Sequence, residues 1–182
     1  MTMRTLSFQS DGKHALPVIY RPSRGCLLVV SQPYRYQPNM NFDEIQLFDY
    51  ANEGLVSDGD ENVPQDVFGR EPEHGWCYYF QKADLARELK QWDRAAAFWD
   101  EAAARGFEPS FAAEYLPFIE SSLRTGDWER AVEMTRKASE TKDMEQLLCA
   151  NWSRILKELP GSAEKDAHWN AVKNQLGCGT GN

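Results

Sequence analysis

The chain has 182 residues, 42% of them apolar, with a formal net charge of −8 and a mean hydropathy of −0.62. That is long enough for one well-buried domain or two small ones, and too apolar for a disordered chain. No stretch is basic enough to neutralise phosphates or an anionic lipid surface, so nucleic acid is not an expected partner.

The acid excess sits early. Residues 1–75 carry 6 basic and 11 acidic side chains, 76–139 carry 9 and 11, and 140–182 carry 5 and 6. The longest apolar run, CLLVV at 26–30, is far short of a membrane span. The opening MTMRTLSFQSDGKH has no hydrophobic signal core, so the chain is expected to be cytoplasmic or a piece of a longer one.

Two textures meet near residue 70. Before it, ALPVIY (15–20) and CLLVVS (26–31) read as two strands, with Pro22 and Gly25 in the turn between them. FDEIQLFDYANEGL (42–55) fits a short helix better than a strand, with Asn41 placed to cap it. The stretch 56–75 has the composition of a loop. Asp58, Asp60 and Asn62 imitate the first ligand positions of a calcium loop, but Val63 and Gly69 stand where a glycine and a bidentate glutamate are needed. A solvated acidic loop is expected there, with no metal.

After residue 70 the 3.6-residue period takes over. Helices are expected over 74–90, over 92–105 ending at Gly106, and from Pro109 or Ser110 through FAAEYLPFIESSLRTG. Further helices are expected over 127–140, over 143–159, and after the Pro160-Gly161 break. Pro117 should bend the third helix unless its first turn starts late. The fold class is therefore mainly α with a small N-terminal β/loop region. Its segments are 1–70 packed on the helices, a helical-repeat domain over 71–176, and a tail over 177–182.

Cys26, Cys77, Cys149 and Cys178 are widely spaced and form no C-x-x-C pair. They read as buried free thiols; a bridge such as Cys26–Cys77 is the alternative in an oxidising compartment. Asn151, Trp152 and Ser153 form an acceptor pattern for glycosylation inside an expected helix, where modification is not expected.

The strongest pattern is an internal repeat. QWDRAAAFWDEAAARG (91–106) aligns with DWERAVEMTRKASETK (127–142) at an offset of 36, matching Trp92 with Trp128, Arg94 with Arg130, Ala95 with Ala131 and Ala102 with Ala138. Tyr79 matches Tyr115 upstream. Gly126 supplies a permissive turn in the second copy, with Gln91 read as its counterpart in the first.

This arrangement resembles the tetratricopeptide repeat. The small residues at which the two helices of that repeat pack would be Ala83, Ala95 and Ala102, then Ile119, Ala131 and Ala138. The resemblance implies α-hairpins in a superhelix, although the period exceeds the usual one of about 34 and Thr135 replaces the aromatic that Trp99 supplies. It covers about 76–140. FGREPEHGWCYYFQKADLAR (68–87), preceded by GCLLVV, is in turn similar to the soluble C-terminal tail of bacterial polytopic membrane proteins of the glycosyltransferase type. That resemblance implies an accessory domain on the outer side of a membrane, with the catalyst in another part of the protein.

Glu71, Glu73, His74 and Cys77 form the one cluster with catalytic residue types. A metal needs three or four convergent ligands, and a thiol nucleophile needs an oriented base. Acids at a helix start are explained by the exposed N–H groups and the dipole, so capping is the expected role of Glu71 and Glu73. No phosphate-binding glycine pattern is present and no cofactor is expected.

The expected function is a non-catalytic domain that binds a protein or peptide segment or a neighbouring membrane domain, with Trp76, Tyr79, Lys82 and Tyr115 as the binding face. The alternative is an enzyme or accessory enzyme domain acting on a glycan or lipid-linked sugar. The expected location is the extracytoplasmic side of a bacterial membrane if the chain belongs to a longer membrane protein, and the cytoplasm otherwise.

Overall fold

The computed structural model describes residues 15–20, 25–59 and 65–179. The expected turn at Pro22, Asp60 and Asn62 of the acidic loop, His14 and the last three residues of the tail lie outside them.

The N-terminal segment is short pieces of structure laid against helices. Strands β1 (Val18–Ile19) and β2 (Leu28–Val29) pair antiparallel, Val18 opposite Val29 and Ile19 opposite Leu28. A 3-10 turn follows at Gln32–Tyr34. Helix α1 (Phe42–Tyr50) starts where Asn41 was expected to cap it: the Asn41 side chain accepts from Glu44 N–H and the Glu44 carboxylate accepts from Asn41 N–H, both at 2.9 Å. The stretch read as loop contains a further 3-10 turn at Glu53–Leu55 and a one-turn helix α2 (Gln65–Phe68).

Six helices then run in sequence: α3 (Trp76–Glu88), α4 (Trp92–Ala104), α5 (Leu116–Thr125), α6 (Trp128–Ser139), α7 (Glu145–Glu158) and α8 (Ala163–Leu176). Neighbours pack as consecutive hairpins, α3 on α4, α4 on α5, α5 on α6 and α7 on α8. The architecture is mainly α, with a hairpin array of the repeat kind and a two-stranded β region.

The 36-residue offset is visible in this architecture. Helices α4 and α6 begin at Trp92 and Trp128. Ala83, Ala95 and Ala102 are fully buried, as are their counterparts Ile119, Ala131 and Ala138. Side chains this small let helix axes approach closely. The counterpart of the first turns of α3 is a 3-10 turn, Ala112–Tyr115, which runs straight into α5. Pro117 therefore occupies the first turn of α5, where its missing N–H has no carbonyl to serve, and the helix is not broken. Thr135, the residue that departs from the repeat pattern, accepts a 2.8 Å hydrogen bond from the Trp152 indole and donates to Ala131 O. An aromatic from the next hairpin thus supplies what the second copy lacks.

The corners also correspond, with one correction. Gly126 is left-handed, φ 82°, and its counterpart is Lys90, φ 58°, rather than Gln91. Both corners close the same way: Gln91 N–H donates to Ala86 O at 2.8 Å and Asp127 N–H to Ser122 O at 2.9 Å. The reading failed because Lys was not expected to take a conformation that favours glycine.

The cysteines are the second correction. All four are paired, Cys26 with Cys77 and Cys149 with Cys178, with Cα atoms 5.2 and 5.6 Å apart. Separations of 51 and 29 residues conceal this closeness, which only the packing of the N-terminal segment on α3 and of α8 on α7 creates. Cys178, assigned to the tail, is tied to α7 in this way. Two disulfides are consistent with an oxidising environment of the kind found outside the cytoplasm. No helix among the described residues is long and apolar enough to cross a membrane.

Replacing Lys90 by Gly should raise stability by about 0.5–1 kcal/mol, because the left-handed strain exceeds the extra chain entropy of glycine. Gly126→Ala should lower it by about 1 kcal/mol from backbone strain alone, since a Cβ there meets nothing within 4 Å. Urea unfolding of the two variants checks both signs.

Candidate functional site

The cluster proposed from sequence is taken apart by the fold. Helix α3 begins at Trp76, with Gly75 as an extended N-cap and no acid in its first turn, so Glu71 and Glu73 do not cap it. The Glu71 carboxylate instead meets His74 Nε2 at 2.9 Å, while Glu73 is exposed. The His74 ring stacks on Tyr78, centroids 3.5 Å apart and 8° from parallel, and Lys82 sits over the other side of that turn, 5.9 Å from the Tyr78 centroid. Cys77 is spent in its disulfide and offers no thiol nucleophile. Among the described residues no group of three or more His, Cys, Asp or Glu is gathered as a metal site would require.

The expected aromatic face is divided. Trp76 and Tyr79 are core residues: Trp76 packs edge-on to Trp99 and against Phe118, and Tyr79 is 1% exposed beside Phe107. Neither is at the surface to anchor a segment. Their helical period signalled burial as readily as a binding stripe. Tyr115 is half-buried against Trp99, and burial together with Glu108, Glu140 and Glu133 pushes its phenol up from the ordinary range. Lys82 is half-buried.

Three polar arrangements that sequence reasoning missed join the N-terminal segment to the helices. The first is the Glu114 carboxylate, buried at the start of the 3-10 turn. It accepts from Cys26 N–H (2.9 Å), the Trp76 indole (2.6 Å), Ser110 N–H (2.8 Å) and Phe111 N–H (3.2 Å). Gly25, at φ 100°, passes so close that a Cβ would run into Glu114 Oε1 and the Phe111 ring. The second is a buried triad: Tyr34 Oη donates to Asp84 Oδ1 (2.7 Å), Arg87 Nε donates to the same oxygen (2.9 Å), and Arg87 Nη2 reaches Ser31 Oγ and Glu88. Burial, and then Asp84, push the Tyr34 phenol well up; burial raises Asp84 against the pull of Arg87.

The third is centred on Glu120, which is 3% exposed. Arg154 holds both its oxygens, at 3.0 and 2.5 Å, and Arg124 adds a bond at 3.1 Å while lying over the Trp92 ring. Burial works to raise the Glu120 carboxyl, but the Arg154 hydrogen bonds and the charge of Arg87 outweigh it and leave it below the usual range. Asn151 sits alongside and donates to Pro33 O at 2.7 Å and to Leu147 O, so a glycan on this buried amide would break both bonds. The triad residues are almost fully buried and none lines the cavity described next.

A cavity of about 150 Å³ lies between the N-terminal segment and the helices, walled by Ile19, Leu28, Met40, Phe80, Phe111 and Met144 among others. Glu114 and Cys26 form part of the wall, so the cavity sits directly behind the disulfide and the carboxylate junction. It is the best-formed concave site in the described chain, apolar with few polar groups.

Comparison with protein-family models, with curated proteins and with solved structures returns no match.

The lowered Glu120 carboxyl contributes stability that is complete above the ordinary glutamate value of about 4.3 and is lost as the pH falls through its folded value. Glu120→Gln should cost about 3 kcal/mol near neutral pH, with the gap to the parent narrowing in acid; chemical unfolding at stepped pH measures it. Asp84 works in the opposite sense: its carboxyl is raised, so its contribution is present in acid and is lost as the pH rises through the folded value. Replacing both Cys26 and Cys77 by Ser should cost about 2–4 kcal/mol, read as a lower denaturant midpoint, and the same loss should follow from selective reduction of that bridge.

Proposed function

We propose that the chain is a non-catalytic interaction domain whose N-terminal segment, held on a helical scaffold, docks a partner segment rich in apolar and basic side chains. One observation carries the reading. Among the described residues the large apolar side chains left exposed are Val18, Tyr20, Tyr36, Phe42, Ile45, Tyr50, Leu55 and Val67, all ahead of the helical array. Phe42 is 72% exposed, and it lies with Ile45 one turn apart on α1, a helix that buries only Phe48. A surface cluster of this kind marks an interaction site more often than chance. Charge selects the partner: α1 carries Asp43, Glu44 and Asp49 and no basic residue, in a chain region where acids outnumber bases. Tyr115, ringed by Glu108, Glu133 and Glu140, offers a second contact of the same chemistry.

In the finer form of this reading the hairpins are divergent tetratricopeptide-like repeats. The domain is then the outer-side tail of a longer bacterial membrane protein of the glycosyltransferase type. The matched burial of the repeat positions supports the first part, and the two disulfides support an extracytoplasmic place.

Titration calorimetry with an amphipathic Leu/Lys helical peptide should give saturable binding, while its Leu/Glu counterpart should not bind. Exchanging Phe42 and Ile45 together for Ser should weaken the Leu/Lys peptide by tenfold or more, about the loss of one anchor, and His74→Ala should leave it unchanged. Absence of binding, or equal binding of the two peptides, contradicts the reading. So does a glycan-directed turnover that His74→Ala abolishes while the melting curve is unchanged.

A further inference from the structure

The cavity behind the Cys26–Cys77 bridge has an occupant written into its walls, and the argument for it is independent of the exposed apolar side chains. Gln37 is one of the wall residues, and its Oε1 is buried with no hydrogen-bond partner among the described residues. A buried acceptor left unmade is costly, and most such groups in folded proteins are satisfied. The other polar group in the wall has no such need. The Glu114 carboxylate already accepts four hydrogen bonds and has no call on a cation.

We propose that this cavity binds a neutral six-membered aromatic ring bearing one hydroxyl, a phenol, with the ring among the apolar walls and the O–H donating to Gln37 Oε1. Size supports the assignment: about 150 Å³ is the volume of an apolar protein cavity that takes up benzene. The walls suit a ring as well. Met40 and Met144 supply sulfur against an aromatic edge, and Phe80 and Phe111 supply faces and edges of their own. A charged ring would lose its hydration to a wall with no counter-charge free to meet it, which excludes a phenolate or a benzoate. The same chemistry has two sources, a free small phenol and the tyrosine side chain of a partner segment.

The test uses the oxidised chain and amide chemical-shift mapping with p-cresol, toluene and N-acetyl-tyrosinamide. p-Cresol should shift the amides of Met40, Ala113 and Met144 in a saturable way and bind about tenfold more tightly than toluene, which has the ring without the donor. Gln37→Leu, which keeps the side-chain bulk and removes the acceptor, should erase that preference while toluene still binds. N-acetyl-tyrosinamide binding with p-cresol's affinity assigns the site to a partner's tyrosine; p-cresol binding alone assigns it to a free phenol. The proposal is overturned if p-cresol moves no amide of the cavity, or if toluene binds as tightly as p-cresol to the parent chain. The second comparison stands on the parent protein, so it decides the matter even if Gln37→Leu folds poorly.

Discussion

Four hydrogen bonds to one buried carboxylate hold this structure in its present form. Glu114 gathers donors from the N-terminal segment, from the first residue of α3 and from the turn that opens α5. Those three pieces are separated by up to 88 residues of chain. An ionised carboxylate is costly to bury unless its lone pairs are filled, and here each oxygen is filled by groups whose own burial depends on the same junction. The Cys26–Cys77 bridge joins residues next to or near two of the donors, so covalent and polar ties reinforce one contact. Gly25 is the backbone condition for it, since the chain passes where no side chain fits.

From that junction the remaining polar burial follows a consistent plan. The N-terminal segment brings its own Tyr34, Ser31 and Pro33 carbonyl to groups that α3 and α7 present: Asp84, Arg87 and Asn151. Glu120 on α5 then gathers the guanidinium groups of Arg124 and Arg154, bringing α7 onto the first two hairpins. Buried ion pairs are weak sources of net stability but costly to break singly. Their effect here is to specify one arrangement of the segment on the helices. The same segment keeps Val30, Tyr34 and Phe48 in the core it shares with the helices, while its outer side leaves Phe42 and Ile45 in water.

Periodicity made the helical half legible. The offset of 36, the small residues at 83, 95, 102, 131 and 138, the Asn41 cap and the late start of α5 at Pro117 all rest on local rules that hold whatever the tertiary structure. What failed rested on distance. The cysteine pairs, the Glu114 junction and the Tyr34–Asp84–Arg87 triad join residues far apart in sequence, and one sequence gives no measure of their proximity. Lys90 failed for a different reason, since a residue without glycine's freedom was strained into a glycine's role by the repeat corner. The binding face was misplaced because an aromatic at helical spacing looks the same whether it turns inward, as Trp76 and Tyr79 do, or outward. Exposed Phe42 and Ile45 at i and i+3, on a helix with no base, were the readable signal for the other face, and the cavity had no local signal.

The central claim is that the N-terminal segment and the helical hairpins form one cooperative structure with a shared core. Native-state amide hydrogen exchange tests this most directly, because it reads opening free energies residue by residue. Val30 N–H, bonded to Pro17 O at 2.9 Å, reports the segment, and the amide of Leu123 in α5 reports the hairpins. The account predicts that both exchange only through global unfolding, with the same free energy and the same denaturant dependence. Exchange of Val30 through an opening several kcal/mol cheaper than that of Leu123, with little denaturant dependence, would show a segment that detaches from an independently folded helical array and would contradict it.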